Sequence, residues 1–134
     1  MFTHIMVGCS DPAKTKVFYD ALFGALGGNP GFDTGKGAFY QHNGGAFGFT
    51  LPANGQPATH ANGGTIGFGA ASTEMVDAWH AAGVANGGTC EGAPGPRAMP
   101  GRNLYGAYLR DPDGNKICAF VDLTDKALSL IHIS

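Results

Sequence analysis

Few side chains in this sequence can do chemistry, and two candidates, His4 and Cys118, stand near opposite ends of the chain. An imidazole titrates near neutrality, so His4 is a candidate general base. The competing reading is a structural histidine held by hydrogen bonds. Cys118 is a candidate nucleophile, but no adjacent cation or helix N-terminus favours its thiolate. A small buried thiol that fills space is the alternative. Tyr40 and Tyr108 suit the walls of a ligand site better than acid chemistry, because a phenol titrates near ~10. Arg97 and Arg102 lie in GAPGPRAMPGRN, which reads as a loop able to reach over a site and fix a carboxylate; the alternative is a solvated loop charge. His60 sits in the linker-like PANGQPATHANG, while His42, beside Asn43, and His80, beside Trp79, read as surface groups.

The element best placed to organise these residues is Leu104 to Val121, LYGAYLRDPDGNKICAFV. Two apolar and aromatic runs flank Asp-Pro-Asp-Gly. Pro112 presets a negative φ, and Gly114 can take the positive φ that closes a tight hairpin. With Gly114 as a bulge residue, Asp111 sits opposite Asn115, Leu109 opposite Ile117 and Tyr108 opposite Cys118. Alternation then puts Leu109, Ile117, Ala119 and Val121 on a core face, and Tyr108, Cys118 and Phe120 on the other.

Upstream, the same plan occurs twice. Phe2 to Gly8 is a strand candidate. Ser10 or Asp11 caps a helix with Pro12 in its first turn and Val17, Phe18, Ala21, Leu22, Ala25 and Leu26 as its apolar stripe. Gly27-Gly28 stops it, and a weak strand follows. Ala38–Gln41 and Ala46–Leu51 flank Asn43-Gly44-Gly45; with Gly45 as bulge, Tyr40 faces Gly48. Thr65 to Gly69 is the next strand. Ser72 or Thr73 caps a helix with Met75, Trp79 and Ala82 on its stripe, ended by Gly87-Gly88. FYDALFGALGG and AWHAAGVANGG match at two alanines and both final glycines, at a spacing near sixty residues. Such a repeat means two modules that cannot each bury a core alone.

Sorting strand residues by the period of two gives a nearly pure apolar helix-facing set: Ile5, Val7, Phe39, Phe47, Phe49, Ile66 and Phe68, with the core face of the last hairpin. The opposite set is His4, Met6, Tyr40, Gly48, Thr50, Thr65, Gly67, Tyr108, Cys118 and Phe120. Small residues at mid-strand leave volume, and tyrosines supply hydroxyls, which is the make-up of an apolar ligand pocket with a few polar handles. A face covered by a dimer partner is the alternative.

Composition bounds the rest. A chain of 134 residues is one domain by length. A net charge of −2 gives no electrostatic reason to expect nucleic acid or an anionic membrane. The apolar runs are too short to span a bilayer, and no signal peptide precedes the first strand. Three cysteines without close pairs fit free thiols and a cytoplasmic setting. The domain is expected to span 1–127, with modules at about 1–55 and 62–124. LSLIHIS (Leu128–Ser134) resembles the translation of a sequencing-adapter remnant and is expected to be a non-native tail.

YLRDPDGNKICAF resembles the closing hairpin of the vicinal-oxygen-chelate superfamily, which includes glyoxalase I, bleomycin-resistance proteins and extradiol dioxygenases. The resemblance covers roughly residues 2 to 122, including the first strand with His4 and the helix KTKVFYDALFGALG. ATHANGGTIGF and HAAGVANGGT resemble a group of small bacterial glyoxalase-like proteins often named lactoylglutathione lyase. The resemblance implies an α+β fold of two βαβββ modules, whose curved mixed sheet carries helices on its convex side and ligand on its concave side, and a homodimer. It also implies four metal-ligand positions, here His4, Gly48, Thr65 and Cys118. Glycine offers no ligand, threonine a poor one, and a glutamate is usual where Cys118 stands. Glu74 and Glu91 occupy none of these positions. His60 folded over the site is the one conceivable replacement. The expectation is therefore a small-molecule-binding protein or metal-independent glyoxalase-like enzyme, with no metal or other cofactor. His4 and Cys118 are its catalytic candidates, and Met6, Tyr40, Gly48, His60, Thr65, Arg102, Tyr108 and Phe120 line the site. A metal-dependent lactoylglutathione lyase-type enzyme is the alternative.

Overall fold

The computed structural model describes residues 1–124; the tail expected at 128–134 lies outside the described residues. Strand β1 (Ile5–Gly8) runs into Asp11, whose carboxylate accepts the Lys14 backbone N–H at 3.2 Å and so caps helix α1 (Pro12–Ala25). Pro12 takes the first turn, where its missing N–H costs nothing. The buried stripe is Thr15, Phe18, Tyr19, Leu22 and Phe23. Val17, expected on that stripe, is 57% exposed, because the aromatic pair Tyr19 and Phe23 rotates the helix away from it. Gly27, at φ +84°, ends the turn. Strands β2 (Phe32–Asp33), β3 (Gly37–His42) and β4 (Gly45–Thr50) complete a sheet of order β1-β4-β3-β2, with β1 parallel to β4.

The second module repeats this order. Strand β5 (Ile66–Gly69) leads to Ser72, which accepts the Met75 N–H at 3.2 Å and caps helix α2 (Thr73–Ala85). Thr65, expected inside the strand, precedes it and is exposed. Trp79 and Val76 are buried; Met75 and Ala82 pack at the rim of the core. Strands β6 (Thr89–Met99), β7 (Arg102–Arg110) and β8 (Lys116–Asp122) give a second sheet, β5-β8-β7-β6. The fold is thus α+β, two βαβββ modules with the expected connectivity.

Two registers decide where the site residues point. The last hairpin pairs Tyr108 with Cys118 and Leu109 with Ile117, as its turn chemistry dictates, and Gly114 has φ +89°. The first hairpin does not follow the expected bulge. Asn43 (φ 49°) and Gly44 (φ 81°) form a two-residue turn, so Phe39 pairs with Gly48 and Tyr40 with Phe47. A shift of one residue exchanges the faces of β3. GAPGPRAM, expected as a loop, is strand β6. It lies at the sheet edge, where Pro96 needs no ladder donor, and bulges around Gly92 absorb the irregular sequence.

The modules are joined by packing and by one buried carboxylate. Leu22 of α1 and Leu109 of β7 both lie where a side chain on Gly83 of α2 would have to go, within 3.2 Å and 2.3 Å of its Cβ. Phe47 and Phe23 of the first module pack edge-on against Phe68 of the second at 5.2 and 5.4 Å. Asp111 is 3% exposed. It accepts the Tyr19 hydroxyl at 2.6 Å, the Asn115 side-chain amide at 2.8 Å, and the backbone N–H groups of Asn115 and Asp113 at 2.9 and 3.0 Å. Asn115 in turn donates to the Gly8 carbonyl at 3.2 Å, at the end of β1. Removing this acceptor strands several buried donors, so Asp111→Ala is expected to cost about 2–4 kcal/mol. Urea denaturation measures it, and Tyr19→Phe should lose only part of that amount.

Candidate ligand site

Each sheet has an outer face, turned away from its helix. On the first, register aligns Phe32, Phe39, Gly48 and Met6 across all four strands. Phe32 is 75% and Met6 41% exposed, with Phe39 half-buried between them. Gly48 is covered: a Cβ there would come within 2.7 Å of Met6 Sδ and 2.8 Å of Phe39 Cδ2. His4 lies just before β1, exposed, with its Nδ1 2.8 Å from the Thr3 hydroxyl and its ring 6.1 Å from that of Phe39.

Tyr40 is not on this face. The two-residue turn sends it to the helix side, where it is 3% exposed and stacks on Phe23 at 4.4 Å. Its hydroxyl donates to Asp20 at 2.6 Å, and the same carboxylate oxygen accepts the Gly31 N–H at 2.9 Å. Burial, then the Asp20 hydrogen bond and charge, raise the phenol pKa far above its ordinary range. Tyr40 is a core residue, and the sequence assignment of it to the ligand face is corrected.

The second outer face carries the aligned row Gly67, Cys118, Tyr108 and Gly92. Cys118 is 6% exposed, with its Sγ 3.2 Å from where a Cβ on Gly67 would stand. Burial raises its pKa, and Lys116 offsets this only in part, so the thiol is protonated at neutral pH. The Tyr108 ring is the centre of the face. Phe120 meets it edge-on at 5.6 Å, Lys116 Nζ lies 5.1 Å from its centroid and the Arg97 guanidinium 5.8 Å. Phe120 in turn lies over Gly106, where any Cβ would be 2.5 Å from its ring. Arg97 is fixed by donating to the carbonyls of Ala93, Gly95 and Pro96, which holds the bulged strand in place. Neither Arg97 nor Lys116 has a carboxylate partner among the described residues.

Two other candidates fall elsewhere. Arg102 pairs with Asp122 at 2.7 Å, an exposed ion pair at the strand ends. His60 is exposed beside the last hairpin turn, its Nδ1 2.7 Å from where a Cβ on Gly114 would stand. Glu91 donates nothing to a metal position either: it accepts from Arg110 at 3.1 Å, which lowers its pKa. Two features were illegible in the sequence. His80 Nε2 lies 3.2 Å from Cys90 Sγ, and half-buried His42 has its Nε2 buried with no hydrogen-bond partner among the described residues.

The residues do not fit a His/Glu metal centre. Of the four positions, one has no side chain and Thr65 offers only a neutral hydroxyl, which leaves His4 and the Cys118 thiol, too few for such a centre. Among the described residues no group of three His, Cys, Asp or Glu side chains is arranged to hold a metal ion. No helix among them is long and apolar enough to cross a membrane.

The family model described as Glyoxalase/Bleomycin resistance protein/Dioxygenase superfamily matches residues 1–119. A crystal structure of a glyoxalase/bleomycin resistance protein from Albidiferax ferrireducens T118 is 58% identical, with a TM-score of 0.85, over 90% of this chain and 98% of that one. A glyoxalase-related enzyme from Fulvimarina pelagi is 23% identical, TM-score 0.70, over 90% of this chain and 87% of that one. Lactoylglutathione lyase from Agrobacterium tumefaciens is 22% identical, TM-score 0.61, over 90% and 92%. The last two show the shared fold alone. No curated protein matches the chain.

The three thiols should differ sharply in reactivity. Burial, then the nearby carboxylates of Asp113, Asp111 and Asp11, push Cys9 up to about 11, and burial raises Cys118, while Cys90 is exposed. At pH 8, brief iodoacetamide treatment is expected to label Cys90 well before the other two, as read by peptide mass spectrometry.

Proposed function

The chain belongs to the Glyoxalase/Bleomycin resistance protein/Dioxygenase superfamily, and on that premise we propose that it binds or transforms a small molecule without a His/Glu-held metal. The observation that carries this is Gly48, whose side-chain space Met6 and Phe39 already fill. A lyase of the metal-dependent kind needs an acidic or imidazole ligand there, and no rotamer change supplies one.

The ligand sits on the outer face of the second sheet, against Tyr108. Its apolar part packs on Tyr108 and Phe120. Its anionic group, a carboxylate for instance, lies near Lys116 and Arg97, whose charges lack carboxylate partners among the described residues. Cys118, which burial keeps protonated, is a poor nucleophile for that ligand, and His4 lies beside Phe39 on the outer face of the first sheet. The exposed apolar row of Phe32 and Met6 on the first sheet supports a homodimer in which a second copy covers that face.

Protein purified without chelator or added metal is expected to carry no stoichiometric metal by mass spectrometry, and nickel, zinc, manganese or iron should not raise its melting temperature. Near-stoichiometric metal that is lost in His4→Ala would overturn the reading. With 4-nitrobenzoate as probe, Tyr108→Ala should weaken binding about fivefold, from lost stacking worth about 1 kcal/mol. Unchanged affinity would move the site away from this face.

A further inference from the structure

The helix side of the second sheet carries a nucleophile and a base that the face around Tyr108 does not use. Cys90 lies near the start of β6, and its Sγ is 3.2 Å from Nε2 of His80 on α2. A bulge creates the pairing. Cys90 stands opposite Leu109 and Gly92 opposite Tyr108, so Glu91 is the extra residue between them. Cys90 therefore shares the face of buried Leu109, toward α2, while Gly92 shares the outer face of Tyr108. A regular strand would have put Cys90 and Gly92 on one face.

The pair is open to solvent and set for proton transfer. Cys90 is exposed and His80 half-buried. Burial lowers the imidazole pKa, and the charge of Asp77, one turn earlier on α2, offsets this only in part. At neutral pH the ring is therefore largely unprotonated, and its Nε2 can accept the thiol proton. The charged groups around the pair already have partners. Asp77 accepts the Tyr105 hydroxyl of β7 at 2.6 Å, and Glu91 pairs with Arg110 of β7 at 3.1 Å. No second thiol competes, because Cys118 lies on the opposite face of the sheet, beside Tyr108, and Cys9 is fully buried.

We propose that Cys90 is a modification site that forms a mixed disulfide with small disulfides, with His80 as its proton acceptor. His80 Nε2 takes the thiol proton, and the thiolate attacks one sulfur of the small disulfide, which is the oxidant. The Cys90 S–S bond forms as the disulfide's own bond breaks. The departing half leaves as a thiolate and takes the proton back from the imidazolium, so one thiol and one disulfide are consumed and one of each is produced. With Cys9 buried and Cys118 on the other face, the product persists until an external thiol reverses it.

The test treats the full chain with bis(2-hydroxyethyl) disulfide, an uncharged probe, and follows the mass gain by peptide mass spectrometry from about pH 6 to about pH 10. Cys90 is expected to react first. His80→Asn should slow it roughly tenfold near pH ~7, where an unassisted thiol of pKa ~8.5 is only a few per cent ionised. Near pH ~10 the thiolate forms without help, so the natural chain and the variant should converge to within about twofold. Cys90→Ser should remove the fast phase. Equal rates near neutrality, a His80→Asn defect that persists in alkali, or a fast phase carried by Cys9 or Cys118 would each overturn the proposal.

Discussion

One buried carboxylate holds the two halves of this molecule in register. Asp111 gathers a phenol, a side-chain amide and two backbone N–H groups, and its neighbour Asn115 reaches across to Gly8. A charge this deep is tolerable only when its lone pairs are saturated, and here they are. The same carboxylate fixes three things: the turn of the last hairpin, the position of α1 through Tyr19, and the exit of β1. Burial, then the charge of Asp111, keep the Tyr19 phenol neutral, with its pKa well above the ordinary value. This joint, the aromatic contacts of Phe23 and Phe47 with Phe68, and the packing of Leu22 and Leu109 on Gly83 together place the two outer faces relative to the core.

The two modules share a plan and differ at their hairpins, and that difference sets their chemistry. A two-residue Asn-Gly turn in the first places Phe39 outward and leaves Gly48 roofed. A longer Asp-Pro-Asp-Gly-Asn loop in the second places Tyr108 and Cys118 outward. The equivalent positions Gly48 and Cys118 thus become a filled gap and a protonated thiol. One face is apolar and exposed, and the other is a ring flanked by two cations. The second is the surface on which we propose that an anionic small molecule binds.

How much of this the sequence discloses depends on how strongly local chemistry constrains geometry. Residues 104–121 were legible because Pro112 and Gly114 admit essentially one turn, and alternation then assigns every side chain. The helix caps were legible for the same reason, since Asp11 and Ser72 sit directly before apolar stripes. Tyr40 was misassigned because Asn43-Gly44-Gly45 accepts either a two-residue turn or a bulged one, and the choice depends on burying Tyr40 against Phe23 and Asp20, partners remote in sequence. The extent of strand β6 through GAPGPRAM was not legible, because Gly and Pro mask an edge strand whose bulges are held by Arg97. The orphaned nitrogen of His42 has no sequence signal, being a consequence of register alone.

The central claim is the proposal that Gly48, roofed by Met6 and Phe39, supplies no metal ligand and that the ligand binds instead at Tyr108 and its two cations. Anomalous X-ray diffraction from crystals grown with nickel tests it most directly. No anomalous peak near His4, Gly48, Thr65 or Cys118 is the expected result. A strong peak bonded to His4 or Cys118, from one chain or across two copies, would contradict the account.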